Sequence, residues 1–416
     1  MKKRTASSLL LICLITATGL AIGLNRLLEP EEAATYAGHR SLVTWLPGEA
    51  IRVDMAVWYP TRRTPTNIMA QGWFFQAARN APPLENPNGW PLLLLSHDST
   101  GSRYAHNDLA INLAQKGFIV VAPTHDSDNA EDMRLLFTAD QLPRRALQLK
   151  AALDTILTNA DLGPLIDRQR IIYLGFGNGG TAGLLLAGAK LTPDLWPLYC
   201  RDNPDNPYCA PVIRSQMDTL TRTMRVQSAL TAESQMNRAT AAEARARELT
   251  RAGEGISKTY ARIYRAQRRQ IIEFKAPPAF LPPLPPLPNQ PVLNDNRINA
   301  MILVSPGYSM LFERESLHAI NLPILFILAG KDNLNNPAKA EGKPVNQADV
   351  LHRAIAPPTP NYIIIPNADL PAFQSACPKS AGALPDLCNS VTPAQRLTIL
   401  HETQNNILSF IKANLN

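Results

Sequence analysis

The sequence has few cysteines, and their spacing argues against the commonest structural metal sites. Five cysteines occur among 416 residues. Four of them form two local pairs, and neither pair has the C-x-x-C spacing typical of zinc sites. Each pair lies in a proline-containing, loop-like stretch, so we predict the disulfides Cys200–Cys209 and Cys377–Cys388, which an oxidising compartment would favour. We expect no metal and no cofactor.

Charged residues are absent between Thr5 and Asn25, directly after Lys2, Lys3 and Arg4. Residues 1–25 are therefore typical of a signal peptide or an N-terminal membrane anchor. The small-residue cleavage signal is poor, so cleavage and anchoring both stay open. Because basic residues stay on the cytoplasmic side, the body of the protein is expected outside the cytoplasm in either case. We predict an exported protein, periplasmic or extracytoplasmic, anchored to the inner membrane if uncleaved, with no nucleic-acid partner.

An excess of positive charge is confined to residues 213–275. This segment has 13 Lys/Arg and 6 Asp/Glu, and the whole chain has 41 and 34, so the remainder is balanced at 28 each. Apolar residues at helical spacing predict an αα-hairpin, and the proline-rich tract that follows must be extended. We predict an insertion over 213–291. It is either a solvated helical arm or, as the alternative, a docking arm for an anionic surface or protein partner.

The rest of the chain alternates buried strands with helices, which predicts a mostly parallel sheet covered on both faces. An antiparallel strand is expected over 51–60, and prolines predict mostly loop over 61–90. The expected parallel strands are 91–96, 118–123, 170–175, 300–305, 323–329 and 362–366, and the expected helices are 104–117, 143–159 and 393–413.

Residues 170–189 combine a short apolar strand, a glycine cluster and a helix of small apolar residues. This is the setting of a G-x-S-x-G nucleophile elbow, but Gly177 stands where the serine would be. The elbow conformation costs a residue with a Cβ about 1–3 kcal/mol, and glycine adopts it freely. A glycine-rich turn of another doubly wound protein fits this stretch alone equally well. A phosphate-binding turn is a further option, but no acidic residue is obviously placed at the end of a following strand to bind a ribose.

In its order of motifs the chain resembles the predicted dienelactone hydrolase family of α/β-hydrolases, relatives of platelet-activating-factor acetylhydrolases. The resemblance covers residues 38–212 and 292–416, interrupted by the insertion, and implies an α/β-hydrolase fold. The motifs that carry it are Val57-Trp-Tyr-Pro, Pro91-Leu-Leu-Leu-Leu-Ser-His, Gly117-Phe-Ile-Val-Val-Ala-Pro, the elbow, Asn203-Pro-Asp-Asn-Pro-Tyr-Cys and Leu322-Pro-Ile-Leu-Phe-Ile-Leu-Ala-Gly-Lys-Asp.

The resemblance implies an ester hydrolase with a Ser/His/Asp triad, and the chain departs from that pattern. Asp332 matches the acid position. The nucleophile position is Gly177, and the histidine position is Leu370. The oxyanion region comprises His97, Asp98 and Asn178, and an aspartate beside a forming oxyanion would raise the barrier.

These departures predict a degenerate hydrolase that binds a small acyl-ester-like ligand or a partner without cleaving it. The alternative is an active serine ester hydrolase with a relocated nucleophile near residues 96–102. Its candidate nucleophiles are Ser96, Ser99 and Ser102, with His97, His106 or His125 as base, although Ser99 and Ser102 are also expected to cap the helix at 104. A third hypothesis is a metal site formed by Asp98, His97, His125, Asp126 and Asp128.

Overall fold

Ten strands form one sheet in the computed structural model. The model describes residues 35–46, 51–99, 101–132, 135, 140–192, 291–331, 347–355, 361–376 and 390–415. The strands are β1 (Tyr36–Trp45), β2 (Arg52–Thr61), β3 (Thr66–Ala70), β4 (Trp73–Arg79), β5 (Trp90–Ser96), β6 (Ile119–Pro123), β7 (Ile166–Phe176), β8 (Ala300–Val304), β9 (Ile324–Ala329) and β10 (Asn361–Ile365). The helices are α1 (Asn107–Gln115), α2 (Gln141–Thr158), α3 (Asn178–Leu186), α4 (Arg314–His318), α5 (Gln347–Ala354) and α6 (Pro393–Leu415). Short 3-10 turns span Gly163–Leu165, Ser309–Leu311 and Leu370–Phe373.

The strand order is β10-β9-β8-β7-β5-β6-β2-β1-β4-β3. Strands β5 to β10 run parallel to one another, and β2 joins β6 in antiparallel register. The central strands β5, β6, β8 and β9 are apolar and almost wholly buried, as expected when helices cover both faces of a parallel sheet. The carboxyl ends of β5 and β7 lie side by side, because Ser96 pairs with Gly175.

Two apolar cores lie on opposite faces of the sheet. Helices α2 and α3 pack on one face against β5, β7 and β8. Helices α1 and α6 pack on the other face, where α6 contributes Ile407 and Phe410. The fold predicted from the pattern of buried strands and helices is therefore confirmed.

Two details of the sequence prediction need correction. The prediction of mostly loop over residues 61–90 missed an antiparallel hairpin, which β3 and β4 form with Met69 opposite Phe74. Its turn uses Gln71 and Gly72, both with positive φ, so the prolines flank the hairpin rather than interrupt it. The sequence analysis also missed β1, α4 and α5.

Several predictions fall outside the described residues. These are the N-terminal segment 1–25, residues 213–290 of the predicted insertion, the acid position Asp332 and all four cysteines of the predicted disulfides. Within the described part of the chain, no helix combines the length and apolar character needed to cross a membrane.

Candidate functional site

The turn between β7 and α3 has the backbone of a strained elbow. Gly177 has φ 52° and ψ −120° and immediately precedes the helix. Its N–H donates to the carbonyl of Val304 on the next strand (2.9 Å), which holds the turn in place. A Cβ on Gly179 would lie 2.4 Å from the Ser96 carbonyl oxygen, so only glycine allows α3 to approach β5 this closely.

The carboxylate of Asp98 occupies the space beside Gly177 that an elbow side chain would fill. An ideal Cβ on Gly177 would lie 2.3 Å from Asp98 Oδ1 and 2.4 Å from its Cγ, distances that no real Cβ tolerates. Asp98 Oδ1 accepts a hydrogen bond from the backbone N–H of Asn178 (2.8 Å). Burial raises the pKa of Asp98 above its usual range, against the opposing effect of the Asn178 and Ser99 N–H groups.

A buried polar network holds the Asp98 loop against the elbow. Ser99 Oγ accepts from the side-chain amides of Asn178 (2.7 Å) and Gln141 (2.9 Å). The same Gln141 amide donates to Asp128 Oδ2 (2.9 Å), which also forms an ion pair with Arg145 (2.5 Å). Because both side chains of this pair are almost fully buried, helix α2 is tied through charged and polar groups to the loops around the elbow.

Comparison with known proteins supports the observed fold. Residues 31–151 match the sequence profile of the family described as platelet-activating factor acetylhydrolase, isoform II. A ferulic acid esterase from Streptomyces cinnamoneus superposes with a TM-score of 0.51 at 14% identity, over 93% of this chain and 92% of the esterase. The chain has the α/β-hydrolase fold. The predicted resemblance to platelet-activating-factor acetylhydrolases is confirmed over residues 31–151, and the predicted α/β-hydrolase fold is confirmed.

A second solved structure, dienelactone hydrolase from Anabaena variabilis, covers 92% of this chain and 100% of its own at 11% identity. Its TM-score is 0.43. No curated protein matches the chain by sequence. The family profile includes Asp98 and ends before the elbow, so the roles of the site residues depend on the geometry of this α/β-hydrolase itself.

One of the serines predicted as a relocated nucleophile does meet a histidine. Ser96 Oγ lies 2.8 Å from His125 Nε2, and His125 Nδ1 lies 3.0 Å from Gln148 Oε1. Gln148 Oε1 also accepts from the Asp126 N–H, so His125 donates a hydrogen bond through Nδ1 and accepts one from the Ser96 hydroxyl at Nε2. Ser96 and His125 are both 0% exposed. Burial and the nearby Arg145 charge hold the pKa of His125 well below its usual range.

The other two serine candidates contact groups other than histidines. Ser99 Oγ accepts from the amides of Asn178 and Gln141. Ser102 Oγ accepts from the Tyr104 N–H (3.3 Å) within a local turn. The prediction that Ser99 or Ser102 caps the helix is wrong, because α1 begins at Asn107 and no side chain caps it.

The remaining two predicted bases occupy buried positions. His97 accepts from the backbone N–H of His125 (3.0 Å) and contacts the Asp98 carbonyl through Nδ1 (2.6 Å). Burial holds the pKa of His97 well below its usual range. The ring of His106 stacks on Phe176, the residue before Gly177, with centroids 3.7 Å apart. Burial lowers the pKa of His106 to about 4, so it is neutral at physiological pH.

The loops that carry the acid and histidine positions lie next to each other. Lys331, the residue before Asp332, donates its N–H to the Ala368 carbonyl (2.8 Å), two residues before Leu370. Leu370 begins a 3-10 turn capped by Asp369, whose Oδ1 accepts from the Ala372 N–H (2.9 Å). Leu370 packs against the apolar core, so this position supplies no titratable group.

The loops after β5 and β6 bring the proposed metal-binding side chains near one another without forming a metal site. In the described part of the chain, no group of three or more His, Cys, Asp or Glu residues is placed to hold a metal ion. The imidazoles of His97 and His125 are engaged in hydrogen bonds, and Asp128 is paired with Arg145.

Sequence reasoning missed the residues that complete the site. Gln141, Arg145 and Gln148 project from α2 towards the loops. The adjacent Arg144 and Arg145 in the first turns of a predicted helix were a usable signal. Tyr308 is buried with a left-handed backbone (φ 56°), and its hydroxyl is hydrogen-bonded to the Asn178 side chain. Burial raises the pKa of Tyr308, so its hydroxyl stays protonated. No comparable signal in the sequence marks this residue.

Proposed function

We propose that this α/β-hydrolase-fold protein binds a ligand or partner without hydrolysing it. The proposal rests on the Asp98 carboxylate, which lies in the volume of the elbow side chain and accepts the Asn178 N–H. In a serine hydrolase, that N–H would stabilise the oxyanion of the tetrahedral intermediate.

The chemical consequence is that three components of ester hydrolysis are lost together. Gly177 supplies no nucleophile, and Leu370 supplies no base. A carboxylate on the oxyanion donor would repel the negative charge that develops on the substrate. Removing the nucleophile or base of a serine hydrolase costs on the order of 10⁶ in turnover, and losing an oxyanion donor costs roughly a further 10²–10³.

The expected ligand is a small molecule that resembles an acyl ester. The match of residues 31–151 to the platelet-activating factor acetylhydrolase family, and the fold shared with a ferulic acid esterase, support this class.

An active serine hydrolase is the second candidate, and the Ser96–His125 contact of 2.8 Å favours it. In this reading Gln148 would orient His125 in place of the usual acid. Two observations weigh against it. Neither Ser96 nor His125 has exposed surface, and the backbone of Gly179 lies directly against Ser96. An acyl carbon could reach Ser96 only if the elbow moved.

A fluorophosphonate probe, which labels activated serines, separates the two candidates. We expect no labelling of the wild-type chain and no turnover of short acyl esters above buffer. Labelling that disappears in Ser96→Ala but persists in Ser102→Ala would overturn the proposal and establish Ser96 as the nucleophile. Ser102 is the matched control because its hydroxyl serves only a local turn with Tyr104.

We also propose that the chain is exported and attached to the outer face of the inner membrane by its N-terminal segment. The support is the uncharged run from Thr5 to Asn25 behind three basic residues, and the poor cleavage signal. Intact-mass measurement of protein from the membrane fraction tests this. Resistance to carbonate extraction and an intact N-terminus are expected, whereas a cytosolic full-length chain would contradict it.

A further inference from the structure

The β3–β4 hairpin presents an apolar pair that nothing in the described chain covers. Met69 and Phe74 lie directly opposite each other across the two strands. They are 77% and 66% exposed, more than any other large apolar side chain in the described strands. On the same face, Gln76 donates to Asn67 (3.1 Å), so this face of the hairpin is formed and ordered.

The strand register fixes which end of the molecule this pair occupies. Strand β4 runs parallel to β1, with Ala78 beside Gly38. Strand β4 therefore begins about three residues before the start of β1, which places the hairpin turn roughly 10 Å beyond Tyr36. The chain enters β1 at the same end, from the N-terminal apolar run.

Two exposed arginines share this end of the sheet. Strand β2 ends at Thr61, which pairs with Tyr36, and Arg62 and Arg63 follow directly and are exposed. Arg62 Nη1 donates to Thr35 Oγ1 (3.2 Å), the residue that leads into β1. Cationic side chains beside exposed aromatic and apolar ones are the combination that binds the headgroup region of a bilayer.

We propose that the β3–β4 hairpin contacts the membrane surface, with Met69 and Phe74 in the interface and Arg62 and Arg63 at lipid phosphates. The proposal rests on the N-terminal attachment proposed above. Residues 26–35 can span at most roughly 35 Å, which keeps this end of the sheet close to the bilayer. The elbow is at the opposite, carboxyl end of the parallel strands, so the candidate site faces away from the membrane.

Photo-crosslinking in proteoliposomes of the full chain tests the contact. p-Benzoylphenylalanine replaces Phe74 in one variant and Leu397, which is 68% exposed on α6, in the matched control. After irradiation, mass spectrometry should find phospholipid adducts on the peptide that contains position 74 and none at position 397. Arg62→Glu combined with Arg63→Glu should reduce the adduct in vesicles that contain phosphatidylglycerol and leave it unchanged in pure phosphatidylcholine.

The outcomes separate this inference from the attachment on which it rests. Flotation of the chain with vesicles without a lipid adduct at position 74 overturns the hairpin contact alone. An adduct at position 74 on chain that carbonate extracts overturns the N-terminal anchor alone. A crosslink from position 74 to a second protein chain would mean that the edge strand β3 pairs with another copy, and would also overturn the proposal.

Discussion

At the elbow, the carboxylate of Asp98 takes the place of the side chain that Gly177 lacks, so the two positions are physically coupled. Gly177→Ala should lower the free energy of unfolding by about 1–3 kcal/mol from backbone strain at φ 52°. It should lower it further because the new Cβ would lie 2.3 Å from Asp98 Oδ1. Urea unfolding followed by circular dichroism measures the total loss.

A second glycine provides the control for that prediction. Gly188 also has a positive φ of 99°, but a Cβ there would meet no atom within 4 Å. Gly188→Ala should therefore show the strain alone. Adding Asp98→Ala should recover part of the loss in Gly177→Ala and none of it in Gly188→Ala. Equal losses in the two alanine variants would show that the carboxylate does not occupy the elbow volume.

His39 predicts a pH dependence of stability. Burial lowers its pKa to about 4, with Arg79 and Arg103 adding to the effect, whereas an unfolded histidine titrates near 6.5. Below pH 6.5 the unfolded chain binds a proton at this histidine that the folded chain does not bind. The free energy of unfolding therefore falls as the pH drops from 6.5 towards 4. At pH 5 the loss is ~2 kcal/mol.

Replacing His39 should remove this dependence. Neither ring nitrogen has a hydrogen-bond partner in the described structure, and the ring packs against Trp58 and Phe75 at 5.4 Å. His39→Phe should leave the urea midpoint at pH 7.5 nearly unchanged and raise it at pH 5. The exposed His401, replaced by Asn, should show no such effect. An unchanged slope between pH 5 and 6.5 in His39→Phe would contradict the prediction.

At the scale of elements, helix α2 is held to the site loops by the buried pair of Arg145 and Asp128. Arg145 also donates to the carbonyl of His97 (2.5 Å), so the pair joins the helix to the loops after both β5 and β6. Asp128→Asn leaves a buried guanidinium without its counter-charge, which typically costs about 3–5 kcal/mol. A drop of this size in the free energy of unfolding is expected from urea titration.

An exposed ion pair on the same helix provides the control, because removing its acidic charge tests the effect on the free energy of unfolding without burial. Asp154 pairs with Arg297 at 2.5 Å, but its side chain is 59% exposed. Asp154→Ala should cost roughly 0–1 kcal/mol. If the two substitutions cost the same, burial would not be the source of the Arg145–Asp128 contribution.

The elements that could be predicted from sequence are those in which one local signal decides the structure. Runs such as Leu92–Leu95 can only be buried strands, and the glycines around position 177 allow a tight turn between strand and helix. The β3–β4 hairpin was missed because Pro65 and Pro82 suggested loop, although both lie outside its strands. The filling of the elbow by Asp98 depends on contacts about 80 residues apart in sequence, which no local pattern contains.

For the whole molecule, the described residues on either side of the predicted insertion are firmly attached to the body. Before it, the Thr192 N–H donates to the Leu311 carbonyl (2.8 Å). After it, the Asp295 N–H donates to the Leu186 carbonyl (2.9 Å), and Lys150 Nζ donates to the Val292 carbonyl (2.7 Å). These bonds do not depend on the intervening segment, so the α/β-hydrolase body should fold without it.

Replacing residues 213–275 by a short Gly/Ser linker should therefore leave the thermal unfolding midpoint nearly unchanged. It should also abolish salt-sensitive retention on a polyanionic resin, because the segment carries the whole net charge of +7. A matched full-length variant, in which seven Lys/Arg residues of the segment become Gln, should lose retention equally. Retention that survives the deletion would place the anion-binding surface on the hydrolase body, and a large drop in the midpoint would mean that the segment is part of the fold.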